Sequence, residues 1–370
     1  MESSLEAVNF GKSIIVPSVQ EMAKESMAKI PPRYERPDQD PPTISTDASI
    51  ILSSIPVIDL ERLAIEGSTD SELDTLHSAC REWGFFQLVS STLLEEFKIQ
   101  VQNFFELPYE DKKKLWQQPD NHEGFGQLFV ISEEQKLDWS DMFYVTTLPL
   151  YLRMNELFDK LPSKLRETLE TYSTEVKKLA IEILGHMAKG LKMEGEEMKE
   201  MFSDGVQSIR MNYYPPCPEP DKTIGFSPHS DADALTIVFQ LNDTEGLEIR
   251  KEGKWIPVKP LPNAFVVNIG DITEIISNGV YRSIQHRATV NSAKDRLSVA
   301  TFYSPKLDSV LGPAPSLLGK RSPAIFQSVS AERYFKDFFA KKLNGKSYLD
   351  CLRIADGEDN TALHPYSKES

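Results

Sequence analysis

His229 and Asp231 sit two positions apart in Pro228-His229-Ser230-Asp231, a spacing that can do chemistry. Side chains alternate faces along an extended segment, so an imidazole and a carboxylate at this spacing point the same way and can serve one metal ion. A third ligand is needed. His286 is the candidate, because Tyr281-Arg282-Ser283-Ile284-Gln285-His286-Arg287-Ala288-Thr289-Val290 reads as another strand that can lie beside the first in a folded sheet. Two histidines and one carboxylate on one side of a metal leave the opposite positions open, the arrangement suited to non-haem Fe(II) and oxygen activation. A His-x-Asp pair alone is weak, since most such pairs are surface residues. Arg296-Leu297-Ser298 strengthens it, standing ten residues after His286 in a strand-like run that ends Val299-Ala300-Thr301-Phe302-Tyr303. Arg296 and Ser298 share a face, and a guanidinium fork beside a hydroxyl clamps the far carboxylate of a dicarboxylic acid. A single arginine on a strand is more often solvated or salt-bridged.

The elements around these residues change character along the chain. Ser18-Val19-Gln20-Glu21 is a capping box, followed by Val19, Met22, Ala23, Met27 and Ile30 at helical spacing until Pro31-Pro32. Residues 33–48 read as an extended linker rich in proline and acidic residues. Ile55-Pro56-Val57-Ile58-Asp59 reads as an edge strand, and 71–83 as a helix stopped by Gly84, with His77 a packed residue. Phe85-Phe86-Gln87-Leu88-Val89 is the next strand, and Thr92 caps a helix running through Phe105. Lys112-Lys113-Lys114 reads as a solvated helix face. From Pro162, the stripe Leu165, Leu169, Tyr172, Val176, Leu179, Ile183, Met187 and Leu191 predicts one long amphipathic helix with His186 at its margin. Beyond Val206, short apolar runs separated by Pro, Gly and Asn mark a closed or double β-sheet, with 264–269 an interior strand and Asn278-Gly279 a hairpin signal. Ser330 caps an aromatic helix carrying Tyr334, Phe335, Phe338 and Phe339, and a short helix begins at Tyr348. The tail, 355–370, lacks periodicity and reads as disordered.

At this point the sequence resembles the plant small-molecule branch of the iron(II)- and 2-oxoglutarate-dependent dioxygenases, from about Val16 to Ile354. The motifs that carry the resemblance are Asn212-Tyr213-Tyr214-Pro215-Pro216-Cys217-Pro218, His229-Ser230-Asp231, Asn278-Gly279 leading to His286, and Arg296-Leu297-Ser298. Glu123-Gly124-Phe125-Gly126-Gln127, 137–143 and 261–271 are similar to the group containing the poppy morphinan-alkaloid O-demethylases and senescence-related dioxygenases. The resemblance implies an α+β fold, a double-stranded β-helix or jelly-roll barrel flanked by α-helices. It implies Fe(II) on His229, Asp231 and His286, and 2-oxoglutarate held by Arg296 and Ser298 with Tyr214 and Asn212. It further implies O2 as oxidant, ascorbate as reductant, decarboxylation to succinate, and a pocket of Phe302, Ser304 and Arg210, with Phe143 and the aromatic C-terminal helix as lid candidates. Phe302 is equally readable as ordinary core. One departure stands out: the family strand is followed by an Asn-His-Gly-Val-like turn, whereas Val89 runs directly into Ser90-Ser91-Thr92.

The divisions expected are an N-terminal helix and linker (1–50), a mixed α/β region with the long helix (51–205), the jelly-roll core (206–305), C-terminal helices (306–354) and the tail. Composition fits a globular protein, with 40% hydrophobic residues enough for a substantial core. A net charge of -15 repels nucleic acid and anionic membranes. Cys80, Cys217 and Cys351 are too few and dispersed for a disulfide framework, and Cys217 reads as a small buried residue. No stretch reads as a secretory signal or a membrane span, so the cytoplasm and a monomer are expected. Three functions remain open from the residues: a dioxygenase hydroxylating or O-demethylating a small, largely apolar plant metabolite of alkaloid or phenylpropanoid/flavonoid type; an oxidase or Zn(II) hydrolase on the same ligands; and a catalytically silent binding protein. Dependence on 2-oxoglutarate separates them.

Overall fold

Alternation along strand β5, Val206–Tyr214, sets the architecture of the chain. Ile209, Met211 and Tyr213 fall on one face, and Ser208, Arg210, Asn212 and Tyr214 on the other. Strand β12, Arg296–Ser304, pairs antiparallel with it in a register that sets Arg296 opposite Tyr214 and Ser298 opposite Asn212. The polar faces of the two strands therefore coincide, and a slip of one residue would turn both to the wrong side. The computed structural model describes residues 13–25, 27–40, 55–64, 69–89, 95–118, 121–262 and 264–354.

Around this pair lie β1 (Val57–Asp59), β2 (Phe85–Val89), β3 (Gly124–Gly126), β4 (Asp141–Leu148), β7 (Leu235–Gln240) and β10 (Ala264–Ile269). They form one eight-stranded sheet in the order β1-β2-β10-β7-β12-β5-β4-β3. Strands from both sides of residue 205 thus share a single sheet. A smaller sheet has the order β6-β11-β8-β9, from β6 (Phe226–His229), β8 (Leu247–Lys251), β9 (Lys254–Pro257) and β11 (His286–Ala288). Phe85 and Val266 of the large sheet pack with Leu247, Ile249 and Ile256 of the small one in a shared core. The result is a jelly roll of two packed sheets rather than a continuously hydrogen-bonded barrel.

The opposite face of the large sheet is apolar and is covered by helices. Helix α5, Ser163–Leu191, buries the whole stripe from Leu165 to Leu191, and its Tyr172 hydroxyl lies 2.9 Å from Thr301 Oγ1 on β12. Helices α2, Thr69–Ser78, and α3, Glu95–Glu106, pack against α5. A wider turn, Ala79–Trp83, carries α2 to Gly84, which has φ 62; a Cβ there would lie 2.2 Å from the Arg282 carbonyl oxygen. Only glycine fits this stop. His77 is a packing residue, its Nδ1 2.9 Å from the Tyr281 hydroxyl. Cys217 is buried, and burial pushes its thiol up to about 11, as befits a small core residue.

Several expectations are corrected by tertiary packing. Helix α1 spans only Val19–Lys24 instead of continuing to Ile30. Its start is fixed by Asp141 on β4, which accepts from the Ser18 hydroxyl (2.6 Å) and the Val19 and Gln20 amides (both 2.9 Å). The chain then leaves the helix because Ile30 and Tyr34 join a satellite core with Trp139 and Tyr214. The described part of the linker is no free spacer: Arg36 Nη1 donates to Asp138 Oδ1 (3.0 Å) and Ser227 Oγ (2.8 Å). Lys113 and Lys114 are on a solvated face of α4, Tyr109–Lys113, and its end, but Lys112 is fully buried. Its ammonium donates to Gln20 Oε1 and to the Phe105 carbonyl at 3.0 Å, tying α1 to α3. Asn278-Gly279 joins no two strands. It ends helix α6, Asp271–Ile276, with both residues at positive φ, and Asn278 Nδ2 donates to the Pro323 carbonyl. The shortened turn after Val89 and the tail, 355–370, lie outside the described residues.

Glu123 begins the glycine-flanked segment that enters β3, and its Oε2 is buried without a partner. Burial pushes this carboxyl up to about 7, opposed by a hydrogen bond with Thr146. A carboxyl raised on folding adds stability below its unfolded value near 4.5, and that stability is lost as pH climbs to about 7. Glu123→Gln is therefore expected to stabilise the fold at pH 8 by an amount on the order of 3 kcal/mol, and so to raise the melting temperature there. Thermal scans at pH 5 and pH 8 check it: the advantage should disappear at the lower pH.

Candidate active site

His229 ends β6 and His286 begins β11, and the antiparallel register sets the two directly opposite. Asp231 lies just past the end of β6 rather than within a strand. His229 Nδ1 is 2.8 Å from the Ser227 carbonyl, and His286 Nδ1 is 3.2 Å from that of Ile284. A carbonyl only accepts, so both Nδ1 atoms carry the proton and both Nε2 atoms present lone pairs. These Nε2 atoms lie 3.3 and 3.6 Å from Asp231 Oδ1. Ligands about 2.1 Å from an ion and at right angles to one another stand about 3 Å apart, so the trio fits one divalent metal with little adjustment.

The large sheet supplies the support. Asp231 Oδ2 accepts from Thr236 Oγ1 at 2.6 Å and from Asn268 Nδ2 at 2.7 Å, which leaves Oδ1 to face the imidazoles. Burial alone would raise the Asp231 carboxyl, but His286, His229 and Thr236 together hold it well below the usual carboxylate range. Burial, with His229 alongside, pushes His286 down to about 4, so it is neutral as a ligand must be. Ser227, whose carbonyl meets His229, is itself pinned: its hydroxyl donates to Asp138 Oδ1 at 2.6 Å and its amide to Asp138 Oδ2 at 3.1 Å. Thr236, Asn268 and Asp138 carried no signal in the sequence, because their role depends on pairing between distant strands.

Arg296, Ser298, Asn212 and Tyr214 line the same cavity as the triad. Arg296 Nη1 is 3.4 Å from Ser298 Oγ, Nη2 donates to Gln240 Oε1 at 3.1 Å, and the guanidinium stands 5.2 Å from the centre of the Tyr214 ring. Its Nε is buried without an acceptor. A buried guanidinium bonded to a hydroxyl and an amide but to no carboxylate among the described residues is a ready receptor for one.

A second cavity opens beside the triad. Phe129, Tyr144, Arg210, Phe226, Asp233, Phe302, Phe338 and Phe339 line it. Burial pushes Asp233 up to about 7, against a 2.6 Å bond from the Ser304 hydroxyl. Phe302 and Arg210 both line this cavity. Ser304 is buried behind Asp233 and reaches the cavity only through it. Phe143 is elsewhere: it is opposite Met211 on the apolar face, with its ring 5.2 Å from Phe104. Its neighbour Tyr144 is opposite Arg210 and takes the inward position. The error is one residue in a period of two, which only the register decides. A larger polar cleft of about 820 Å³ holds none of the triad but shares Leu128, Phe129 and Leu343 with the aromatic cavity.

Residues 205–305 match the 2OG-Fe(II) oxygenase superfamily, and residues 55–166 match the N-terminal region described as non-haem dioxygenase in morphine synthesis. The chain is 52% identical over 349 residues to Protein SRG1 of Arabidopsis thaliana, covering 92% of this chain and 97% of that protein. The chain belongs to the iron(II)- and 2-oxoglutarate-dependent oxygenases. Thebaine 6-O-demethylase of Papaver somniferum is 49% identical, with 94% of this chain and 98% of that protein covered. Oxoglutarate-dependent flavonoid 7-O-demethylase 1 of Ocimum basilicum is also 49% identical, with 94% of each covered. Among solved structures, JOX2 in complex with 2OG, Fe and JA superposes with a TM-score of 0.82 at 33% identity, covering 92% of this chain and 98% of that one. This oxygenase is accordingly an Fe(II)/2-oxoglutarate-dependent dioxygenase with a small-molecule substrate. No helix among the described residues is long and apolar enough to cross a membrane.

The bonds from Thr236 and Asn268 orient the Asp231 carboxylate, and outer partners of this kind are worth roughly 10- to 100-fold in metal affinity. Asn268→Ala is expected to weaken Mn(II) binding by about that factor while the protein stays folded. Calorimetric titration with Mn(II), beside a melting curve, measures both effects.

Proposed function

We propose that His229, Asp231 and His286 hold the Fe(II), that Arg296 and Ser298 bind the distal carboxylate of 2-oxoglutarate, and that the aromatic cavity receives a plant specialised metabolite. The observation that supports this most is the placement of the triad where two adjoining cavities meet, one ending in a guanidinium bonded to no carboxylate among the described residues and the other walled by phenylalanines. Iron, 2-oxoglutarate and O2 together supply an oxidant for an unactivated C–H bond, with succinate and carbon dioxide as by-products and ascorbate as the supporting reductant.

The chain's own task is orientation and exclusion. Arg296 and Gln240 fix the far end of the cosubstrate, and Asn212, which donates toward Ser298 Oγ at 3.4 Å, helps hold the hydroxyl in position. Phe302, Phe338 and Phe339 present apolar surface to the substrate body and keep water from the reacting carbon. Hydroxylation of a carbon that bears an ether oxygen gives a hemiacetal, which collapses to an alcohol and formaldehyde. Hydroxylation and O-demethylation therefore follow from one geometry, and the O-demethylases among the relatives support the second outcome. A cytoplasmic location is part of the same reading.

Arg296→Lys keeps the charge but loses the fork, and truncating one side of a buried charge-assisted pair costs roughly 2 to 5 kcal/mol. The expected result is a KM for 2-oxoglutarate raised well over tenfold, with a melting temperature close to wild type. Succinate release measured across 2-oxoglutarate concentrations, beside a thermal scan, is the test. An unchanged KM with a collapsed melting temperature would make the arginine structural and remove the case for this cosubstrate site.

A further inference from the structure

We propose that Arg210 anchors an anionic oxygen of the substrate, so that the molecule oxidised is a flat aromatic compound carrying a carboxylate or an ionised phenol. The inference rests on the reading that the aromatic cavity receives the substrate.

Arg210 lies in the middle of β5, opposite Ala300 on one side and Tyr144 on the other, and is only 5% exposed. Its guanidinium stacks on the Phe226 ring at 3.8 Å, and its Nε has no acceptor. A ring covers only the face of a guanidinium. The five N–H donors lie in its plane and point outward from the edge, so stacking leaves them unsatisfied. Among the described residues, no hydrogen bond or ion pair to this guanidinium is found. The carboxylates that influence it from farther away are committed elsewhere: Asp138 to Arg36 and Ser227, and Asp231 to Thr236, Asn268 and the two histidines. Burial lowers the Arg210 pKa, but a guanidinium remains charged at any ordinary pH.

The contrast with Arg287 is instructive. That side chain is equally buried, and it is paired with Glu248 at 2.6 Å and with the Asp40 carbonyl at 2.7 Å. A buried guanidinium bonded to no carboxylate among the described residues occurs at Arg296 and at Arg210, and both line cavities next to the triad. Arg296 faces the cosubstrate side. Arg210 also lines the aromatic cavity, where Phe129 and Phe339 stack on one another and, with Phe226, Phe302 and Phe338, give an aromatic lining suited to a flat ring. Asp233, in the same cavity, is held by Ser304 and disfavours an anion on its own side. The guanidinium therefore sets the direction of an acidic molecule, with its acidic group toward Arg210 and its ring among the phenylalanines.

The test uses the full chain loaded with Mn(II) and saturating 2-oxoglutarate, titrated by fluorescence with three probes of one shape: 6-methoxy-2-naphthoate, its carboxamide and the corresponding aminomethyl compound. The naphthoate is expected to bind at least about tenfold more tightly than the carboxamide, with the amine weakest. Arg210→Gln should abolish this preference and Arg210→Lys should keep part of it, while the Kd of 2-oxoglutarate stays at the wild-type value in both. Retained 2-oxoglutarate binding shows that the variants are folded. Equal or tighter binding of the amide or the amine overturns the proposal, as does a loss in Arg210→Gln of 2-oxoglutarate affinity in place of probe affinity. Absence of naphthoate binding to a chain that still holds 2-oxoglutarate defeats this inference alone; failure to bind Mn(II) and 2-oxoglutarate at all defeats the proposed function with it.

Discussion

The carboxylate of Asp231 joins the two sheets, and the rest of the site depends on it. One oxygen is held from the large sheet by Thr236 and Asn268, and the other faces His229 and His286 on the small sheet. The contact fixes the separation and angle of the sheets at the one point where chemistry requires accuracy. It also orders the electrostatics: a carboxylate kept ionised in the interior faces the His286 imidazole, which burial holds neutral, with His229 beside it, so the cluster is arranged for a cation before one arrives. Such preorganisation removes the need to desolvate and reorient ligands on binding.

Two kinds of buried charged side chain stand out in the interior. Arg287, Glu248, Lys112 and Asp141 are buried with partners, and they hold strands and helices to one another. Arg296 and Arg210 are buried facing cavities, each with an Nε lacking an acceptor. An unmet donor of the second kind costs stability unless a ligand supplies its acceptor. The distinction separates fold from function without reference to any motif.

The segment that precedes the sheets is also part of the site's support. Asp141 seats the start of α1, Ile30 and Tyr34 fill a core with Trp139, and Arg36 then reaches Asp138 and Ser227. Ser227 in turn presents its carbonyl to His229. A chain of contacts thus runs from the N-terminal helix to the His229 imidazole. The long helix α5 does comparable work on the other side, where Tyr172 and Ser173 meet Thr301 and Gln207 of the large sheet.

The sequence by itself determined the chemistry and the two-faced character of the main elements. That His229, Asp231 and His286 come together, and that Arg296 and Ser298 share a face, was legible from their spacing, as the stripe from Leu165 to Leu191 was from the period of a helix. Those signals are local. What local signals leave open was decided by pairing and packing: that α1 stops at Lys24, that Asn278-Gly279 closes a helix, and that Lys112 lies inside. The clearest case is Phe143 and Tyr144. Their order in the sequence gives no preference for either, and the register of β4 against β5 alone sends Tyr144 to the cavity and Phe143 to the core, because a strand's two faces differ only by which partner residues they meet.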